Sequence, residues 1–311
     1  MKYTEQTALF ACAGDTLLGI VAAPETPAET GIVIIVGGPQ YRIGSHRQFV
    51  FLSRSLATAG YPVLRFDYRG MGDSEGEARD FQGVNADIGA AIDALQSRMP
   101  AVKQVALWGL CDGASAALLY CWQTGDPRVG GLCLLNPWVR SAVSLARTRV
   151  KHYYARRLMD KAFWVKLLHG QVPSRALTGL IGNLRLAASG GSASDGAAGA
   201  DGRSVTAPAS FQQGMAAGWA DFTGSILLLL SGDDYTAKEF IDLCATDAAW
   251  KNAMAHPRLV RHDLPEADHT FSSAALRAAV NRLTLRWLDA MADERPDRQA
   301  AARTANPLCA C

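Results

Sequence analysis

The chain has no long hydrophobic run: its most extended apolar stretch, Ala116 to Trp122, is far too short to span a bilayer. The opening residues Met1 to Glu5 lack a positive region followed by an apolar one, so the sequence predicts a cytoplasmic chain without an integral membrane segment. Charge of one sign is also missing. With 31 basic against 29 acidic residues, interleaved along the chain, no basic stripe exists to steer it to nucleic acid. Seven cysteines (12, 111, 121, 133, 244, 309 and 311) form an odd set without the spacing of a structural zinc site, so reduced thiols are expected and neither metal nor organic cofactor is called for. What remains is an ordinary globular composition, 49% apolar over 311 residues, whose expected partner is a small molecule.

Short β-branched runs alternate with helical patterns, which predicts a mostly parallel central sheet with helices on both faces. Residues 6–12 and 16–22 read as an opening antiparallel pair that turns at Gly14-Asp15. Apolar strands follow over 31–36, 62–66, 104–108, 131–136, 226–230 and 258–262. Helices are expected over 47–59, 85–98, after Gly113, over 237–247 and over 274–291. The alternation is lost between 141 and 220. We read residues 1–140 and 221–292 as one core, 141–220 as a lid insertion whose 187–209 segment is flexible, and 293–311 as a tail. Tyr153, Tyr154, Phe163 and Trp164 have the helical spacing of lid packing.

Gly109-Leu110-Cys111-Asp112-Gly113 lies between a predicted strand and a predicted helix and matches the G-x-S-x-G nucleophile elbow with sulfur in place of oxygen. A nucleophile on a strained turn needs glycine two residues to either side, where a Cβ would strike strand or helix. The helix start should favour a Cys111 thiolate, and the Asp112 amide is placed to receive a developing oxyanion. Of the six histidines, His269 alone lies in a polar loop between the last strand and the terminal helix, and it is the expected base. His46, near the glycine turn, competes for the same cleft; His152 and His169 fall in the lid, and His256 and His262 flank the last strand. Asp233 and Asp234 follow the strand 226–230 as adjacent acids, of which only one can face the histidine; the other is expected to cap the next helix. Cys133, inside an apolar run, is expected to be core.

Across about residues 5–138 and 222–290 the sequence resembles the α/β-hydrolase superfamily, with Asp67-Tyr68-Arg69-Gly70-Met71-Gly72-Asp73-Ser74 similar to its D-x-R-G-x-G-x-S loop. We expect that loop to be a turn held by local salt bridges of Arg69 and Asp73. The resemblance implies an α/β-hydrolase fold, favours Asp234 over Asp233 as the acid, and, with Pro39 lacking an N–H, leaves Gly38 or Gln40 as the second oxyanion donor, of which Gly38 aligns better. Val36 stands where that loop often carries histidine. More narrowly, Gly37 to Phe49, the cysteine elbow, and Ala267 to Ser272 resemble exosortase A system-associated hydrolase 1. This implies a Gram-negative setting among exopolysaccharide and protein-sorting functions. The cysteine elbow is also similar to those of dienelactone hydrolases and polyhydroxyalkanoate synthases.

The expected activity is therefore hydrolysis of an ester or thioester in a small acyl substrate, through Cys111, His269 and Asp234, with Gly38 and Asp112 amides as the oxyanion site and Gln40, His46 and Tyr235 lining the pocket. Acyl transfer to an alcohol or amine through the same cysteine is the first alternative. A non-catalytic binding protein that kept the fold is the second.

Overall fold

A computed structural model describes residues 1–38, 40–140 and 210–293. Most of the expected lid (141–209, with its 187–209 segment, His152, His169 and the four aromatics) lies outside the described residues, as do Pro39 and 294–311 with Cys309 and Cys311.

The opening hairpin joins β1 (Tyr3–Cys12) to β2 (Asp15–Pro24), with Cys12 opposite Asp15. Its two loop residues, Ala13 and Gly14, have φ of 50° and 96°, the mirror-image turn whose twist suits a hairpin. Then come β3 (Thr30–Ile35), α1 (Gln48–Thr58), β4 (Val63–Phe66), α2 (Asn85–Arg98), β5 (Gln104–Leu110), α3 (Asp112–Thr124) and β6 (Val129–Leu135). After the undescribed segment follow α4 (Phe211–Ala220), β7 (Ser225–Ser231), α5 (Tyr235–Thr246), β8 (Leu259–Leu264) and α6 (Ala274–Asp293).

The eight strands run in the order β1-β2-β4-β3-β5-β6-β7-β8, parallel from β4 onward to β8. β3 and β7 are buried along their whole length, which is why they read as unbroken apolar runs rather than alternating ones. Burying each such leucine or isoleucine contributes roughly 1.5–3 kcal/mol. β8, at the edge, is half exposed and carries Arg261, His262 and Asp263, charges that discourage pairing with another chain. α1 packs on α6, and α2 on α3. The segment 211–220, grouped with the insertion in the sequence, forms α4 against α3; a Cβ at Gly218 would lie 2.3 Å from the Leu118 carbonyl oxygen, so glycine lets these helices touch.

The chain steps from β3 to β4 on one side and then to β5 on the other, so the strand order reverses between β3 and β5. A parallel sheet leaves a crevice at the carboxyl ends of its strands at such a reversal. Gly37 and Gly38 follow β3 there, and Cys111 follows β5.

The Asp67–Ser74 loop is structural, but its salt bridges reach farther than expected. Arg69 binds the buried Asp87 of α2, with its backbone N–H and Nε both donating to Oδ1 (2.9 and 3.0 Å) and a terminal nitrogen to Oδ2 (2.8 Å). Asp67 and Asp73 share Arg42, from the loop after β3.

Candidate active site

Cys111 occupies the single residue between β5 and α3, with φ 61° and ψ −125°. A non-glycine residue held there costs of order 1–3 kcal/mol, so its surroundings must enforce the turn. They do: the Cys111 N–H donates to the Leu135 carbonyl (2.8 Å), and the Trp138 N–H donates to the Cys111 carbonyl (3.2 Å). The expected clashes are also present. A Cβ at Gly109 would lie 2.5 Å from the Gly113 carbonyl, and one at Gly113 would lie 2.5 Å from the Ile35 carbonyl oxygen.

The thiol itself departs from expectation. Burial, reinforced by the charges of Asp112 and Asp234, pushes Cys111 up to about 12, against smaller lowering effects of the Asp112 amide and Arg140. Desolvation thus outweighs the helix terminus, and the resting group is a neutral thiol. Cys133 is fully buried, as a core thiol should be.

His269 and Asp234 come together. The 2.8 Å bond joins His269 Nδ1 to Asp234 Oδ2, the carboxylate being almost wholly buried. Asp234 is also the N-cap of α5, accepting from Thr236 N–H on Oδ1 (3.0 Å) and Ala237 N–H on Oδ2 (3.3 Å). The sequence assigned orienting and capping to two different aspartates; one carboxylate, with about four lone-pair sites, performs both. Asp233 is exposed, and its backbone N–H donates to the Ala267 carbonyl (3.0 Å). His256 bonds the Phe222 carbonyl (2.8 Å) and His262 lies within β8, so both are structural.

Two features escaped sequence reasoning. Asn136, fully buried with φ 45°, ends β6 and ties three elements together. Its Nδ2 donates to Ser231 Oγ (2.8 Å) and to the His269 carbonyl (3.2 Å), while Oδ1 accepts from the Ser231 N–H (2.9 Å). Ser231 Oγ in turn donates to the Asp268 carbonyl (2.9 Å), so the histidine loop is fastened to the ends of β6 and β7. The only signal available was an asparagine closing an apolar strand. The second feature is Arg140, which stacks 4.5 Å over Trp138 and donates through Nε to the buried Glu239 (2.9 Å).

Of the expected oxyanion donors, Gly38 meets the residue of the other through a side chain. The Gly38 N–H donates to Asp112 Oδ2 at 2.7 Å, so the amide already faces a carboxylate. Gln40 Oε1 accepts from the Ser45 N–H (3.3 Å) within its own loop. His46 is exposed in a left-handed conformation (φ 53°). Its charge acts on Asp268, whose carboxyl is held down by hydrogen bonds from Ser272 and Thr270 against the raising effect of burial. Tyr235 is exposed at the start of α5, with the Lys238 ammonium 5.3 Å over its ring. Among the described residues, no group of three or more His, Cys, Asp or Glu could hold a metal ion, and no helix is long and apolar enough to cross a membrane.

Comparison with known proteins places this fold. An uncharacterized protein of Rickettsia prowazekii is 30% identical over 101 residues, covering 32% of this chain and 42% of that protein. Protein ABHD12B of Homo sapiens is 34% identical over 86 residues, covering 28% of this chain and 23% of the relative. The chain thus spans less than half the length of either curated relative. The solved esterase Pf2001 of Pyrococcus furiosus superposes with a TM-score of 0.59 at 13% identity, covering 93% of this chain and 90% of that one, a likeness of fold. The alpha/beta hydrolase family matches residues 32–283, from β3 into α6. Since that match takes in most of the chain and six of its eight strands, the chain belongs to the alpha/beta hydrolase family.

Proposed function

We propose that the protein hydrolyses an ester or thioester bond of a small acyl substrate in the cytoplasm, with Cys111 as nucleophile, His269 as general base and Asp234 as the acid that orients it. The observation that carries this reading is the positive-φ Cys111 at the β5–α3 junction, whose thiol feels the charge of the same Asp234 that bonds His269 at 2.8 Å. His269 Nε2 takes the Cys111 proton as sulfur attacks the carbonyl carbon, and the Asp112 and Gly38 amides receive the oxyanion. Collapse expels the alcohol or thiol, which leaves with the proton from His269. Water, deprotonated by His269, then attacks the thioester and releases the acid and the free thiol. The motifs shared with exosortase A system-associated hydrolase 1 favour a substrate from exopolysaccharide or protein-sorting chemistry.

The test is turnover of p-nitrophenyl esters and acyl-CoAs of graded chain length, with and without glycerol as acceptor. Release of free acid in both conditions is expected, and glycerides as the main product would make the enzyme an acyltransferase. Cys111→Ala should abolish turnover while leaving the melting temperature within a few degrees. Full turnover in that variant would overturn the mechanism.

A further inference from the structure

We propose that the Asp112 side chain is an internal anion that occupies the Gly38 amide in the resting enzyme, so that the oxyanion site opens to substrate only when this carboxylate is displaced or neutralised. The inference rests on the nucleophile and oxyanion assignments above and adds a positioning residue that acts through Gly38 and Cys111.

Three observations carry it. First, Asp112 Oδ2 accepts the Gly38 N–H at 2.7 Å, a short, charge-assisted bond to the amide that a tetrahedral intermediate needs. Two anions cannot share one N–H at that distance. Second, the carboxylate lies where only a missing side chain admits it: a Cβ at Gly37 would sit 2.2 Å from Asp112 Oδ1 and 2.9 Å from the Gly113 nitrogen. Third, Oδ1 is out of solvent and has no hydrogen-bond partner among the described residues. A carboxylate kept for structure alone would have both oxygens satisfied, since a bare buried acceptor forfeits its hydration. This one has its one short bond on Oδ2, to Gly38, and leaves Oδ1 bare, so exchanging that bond for a substrate oxygen costs it little else.

The surrounding charges agree. Burial raises the Asp112 pKa, and the amides of Gly38, Asp112 and Gly113, with the charge of His269 from the loop after β8, pull the other way. The Asp112 charge raises the Cys111 thiol and adds to the burial that keeps the Tyr68 hydroxyl protonated, where it donates to the Val36 carbonyl at 2.7 Å. Asp234 and Arg140 act on Cys111 in opposite senses. An ionised Asp112 thus blocks the oxyanion amide and opposes the thiolate at once. When it is displaced or protonated, both effects are relieved.

The experiment compares Asp112→Ala and Asp112→Asn with the parent, in a background where Cys309 and Cys311 are serine. The readouts are inhibition by 1,1,1-trifluoroacetone, whose adduct with a thiol carries an ionised oxygen, and the pH profile of Cys111 alkylation by iodoacetamide followed by peptide mass spectrometry. Asp112→Ala frees the amide and removes the charge; the ketone should bind on the order of tenfold tighter and the alkylation profile should move down by about one pH unit. Asp112→Asn keeps an acceptor for Gly38 but not the charge, so the profile should move similarly with a smaller gain in ketone affinity. Loss of a merely structural contact would shift neither in this direction. Should Asp112→Ala fail to fold, the alkylation profile of Asp112→Asn decides alone. An unchanged or raised profile, or weaker ketone binding in folded Asp112→Ala, overturns the proposal. If the parent's turnover survives Cys111→Ala, the mechanism itself has failed; if turnover needs Cys111 but the Asp112 variants match the parent, only this inference has.

Discussion

Replacing Asp234 by asparagine separates two tasks that the structure gives to one carboxylate. Its oxygens accept from His269 Nδ1 at 2.8 Å and from the Thr236 and Ala237 amides at 3.0 and 3.3 Å. Asparagine is as good an N-cap as aspartate, so its Oδ1 can keep the start of α5, and the stability lost should stay below about 1 kcal/mol. The amide nitrogen, however, presents hydrogens to His269 Nδ1. The ring must then accept on Nδ1 and carry its proton on Nε2, where it can no longer receive one from Cys111. A wrong tautomer of this kind costs about 10³–10⁴ in kcat, or about 4–5 kcal/mol of transition-state stabilisation. Asp233→Asn is the control. Its side chain is exposed, and only its backbone N–H makes the bond to Ala267, so kcat should change by less than about twofold. The assay is steady-state hydrolysis of a p-nitrophenyl ester alongside thermal unfolding of the same preparations. Equal loss at both positions, or a larger loss at Asp233, would refute the assignment.

Asn136→Asp keeps the acceptor for the Ser231 N–H but sets a second acceptor against the His269 carbonyl, so kcat should fall about tenfold or more while KM changes little; an unaltered kcat in a folded variant would show that the histidine loop needs no such fastening. Asp126 offers a pH test: burial raises its carboxyl, but hydrogen bonds from Arg128 and Tyr120 prevail and hold it at about 2, below its ordinary value of 3.8. A depressed folded-state pKa stabilises the protein above the unfolded value and loses that effect as pH falls through the folded one. The melting-temperature gap between the parent and Asp126→Asn should therefore be constant near neutrality and close as the pH drops from about 4 toward 2. A gap that persists through that window would sink the argument.

The strands β3, β5 and β7 were readable because strands buried on both faces need continuous apolar runs, and α2 because its expected bounds, 85–98, coincide with Asn85–Arg98. The elbow was readable for a similar reason, since the glycines at 109 and 113 are demanded by contacts four residues away in the chain or on the neighbouring strand. What escaped depends on distance in sequence. α4 is built from Phe211-Gln212-Gln213-Gly214-Met215-Ala216-Ala217-Gly218-Trp219-Ala220, whose glycines look like breakers until α3 is seen packed against them. The double use of Asp234 was hidden because sequence counts carboxylates, not lone pairs. Asn136 joins residues 95 and 133 positions away, through contacts that no local pattern encodes.

The thiol shows why the acid–base pair cannot be dispensable. A helix terminus favours a thiolate, as the sequence led us to expect. In the folded site, burial and the charges of Asp112 and Asp234 hold the proton on sulfur, and Arg140, whose charge opposes them, is engaged by Glu239. A neutral thiol is a weak nucleophile, so the proton must leave as the carbon–sulfur bond forms, and a base has to be in place at that moment. In the proposed mechanism His269, bonded to Asp234 and fastened through Asn136, supplies it. Because charge would then appear on the imidazole and the substrate oxygen only during attack, that mechanism has the carboxylate beside His269 stabilise the transition state far more than the resting enzyme, which is the condition for raising kcat rather than merely tightening binding.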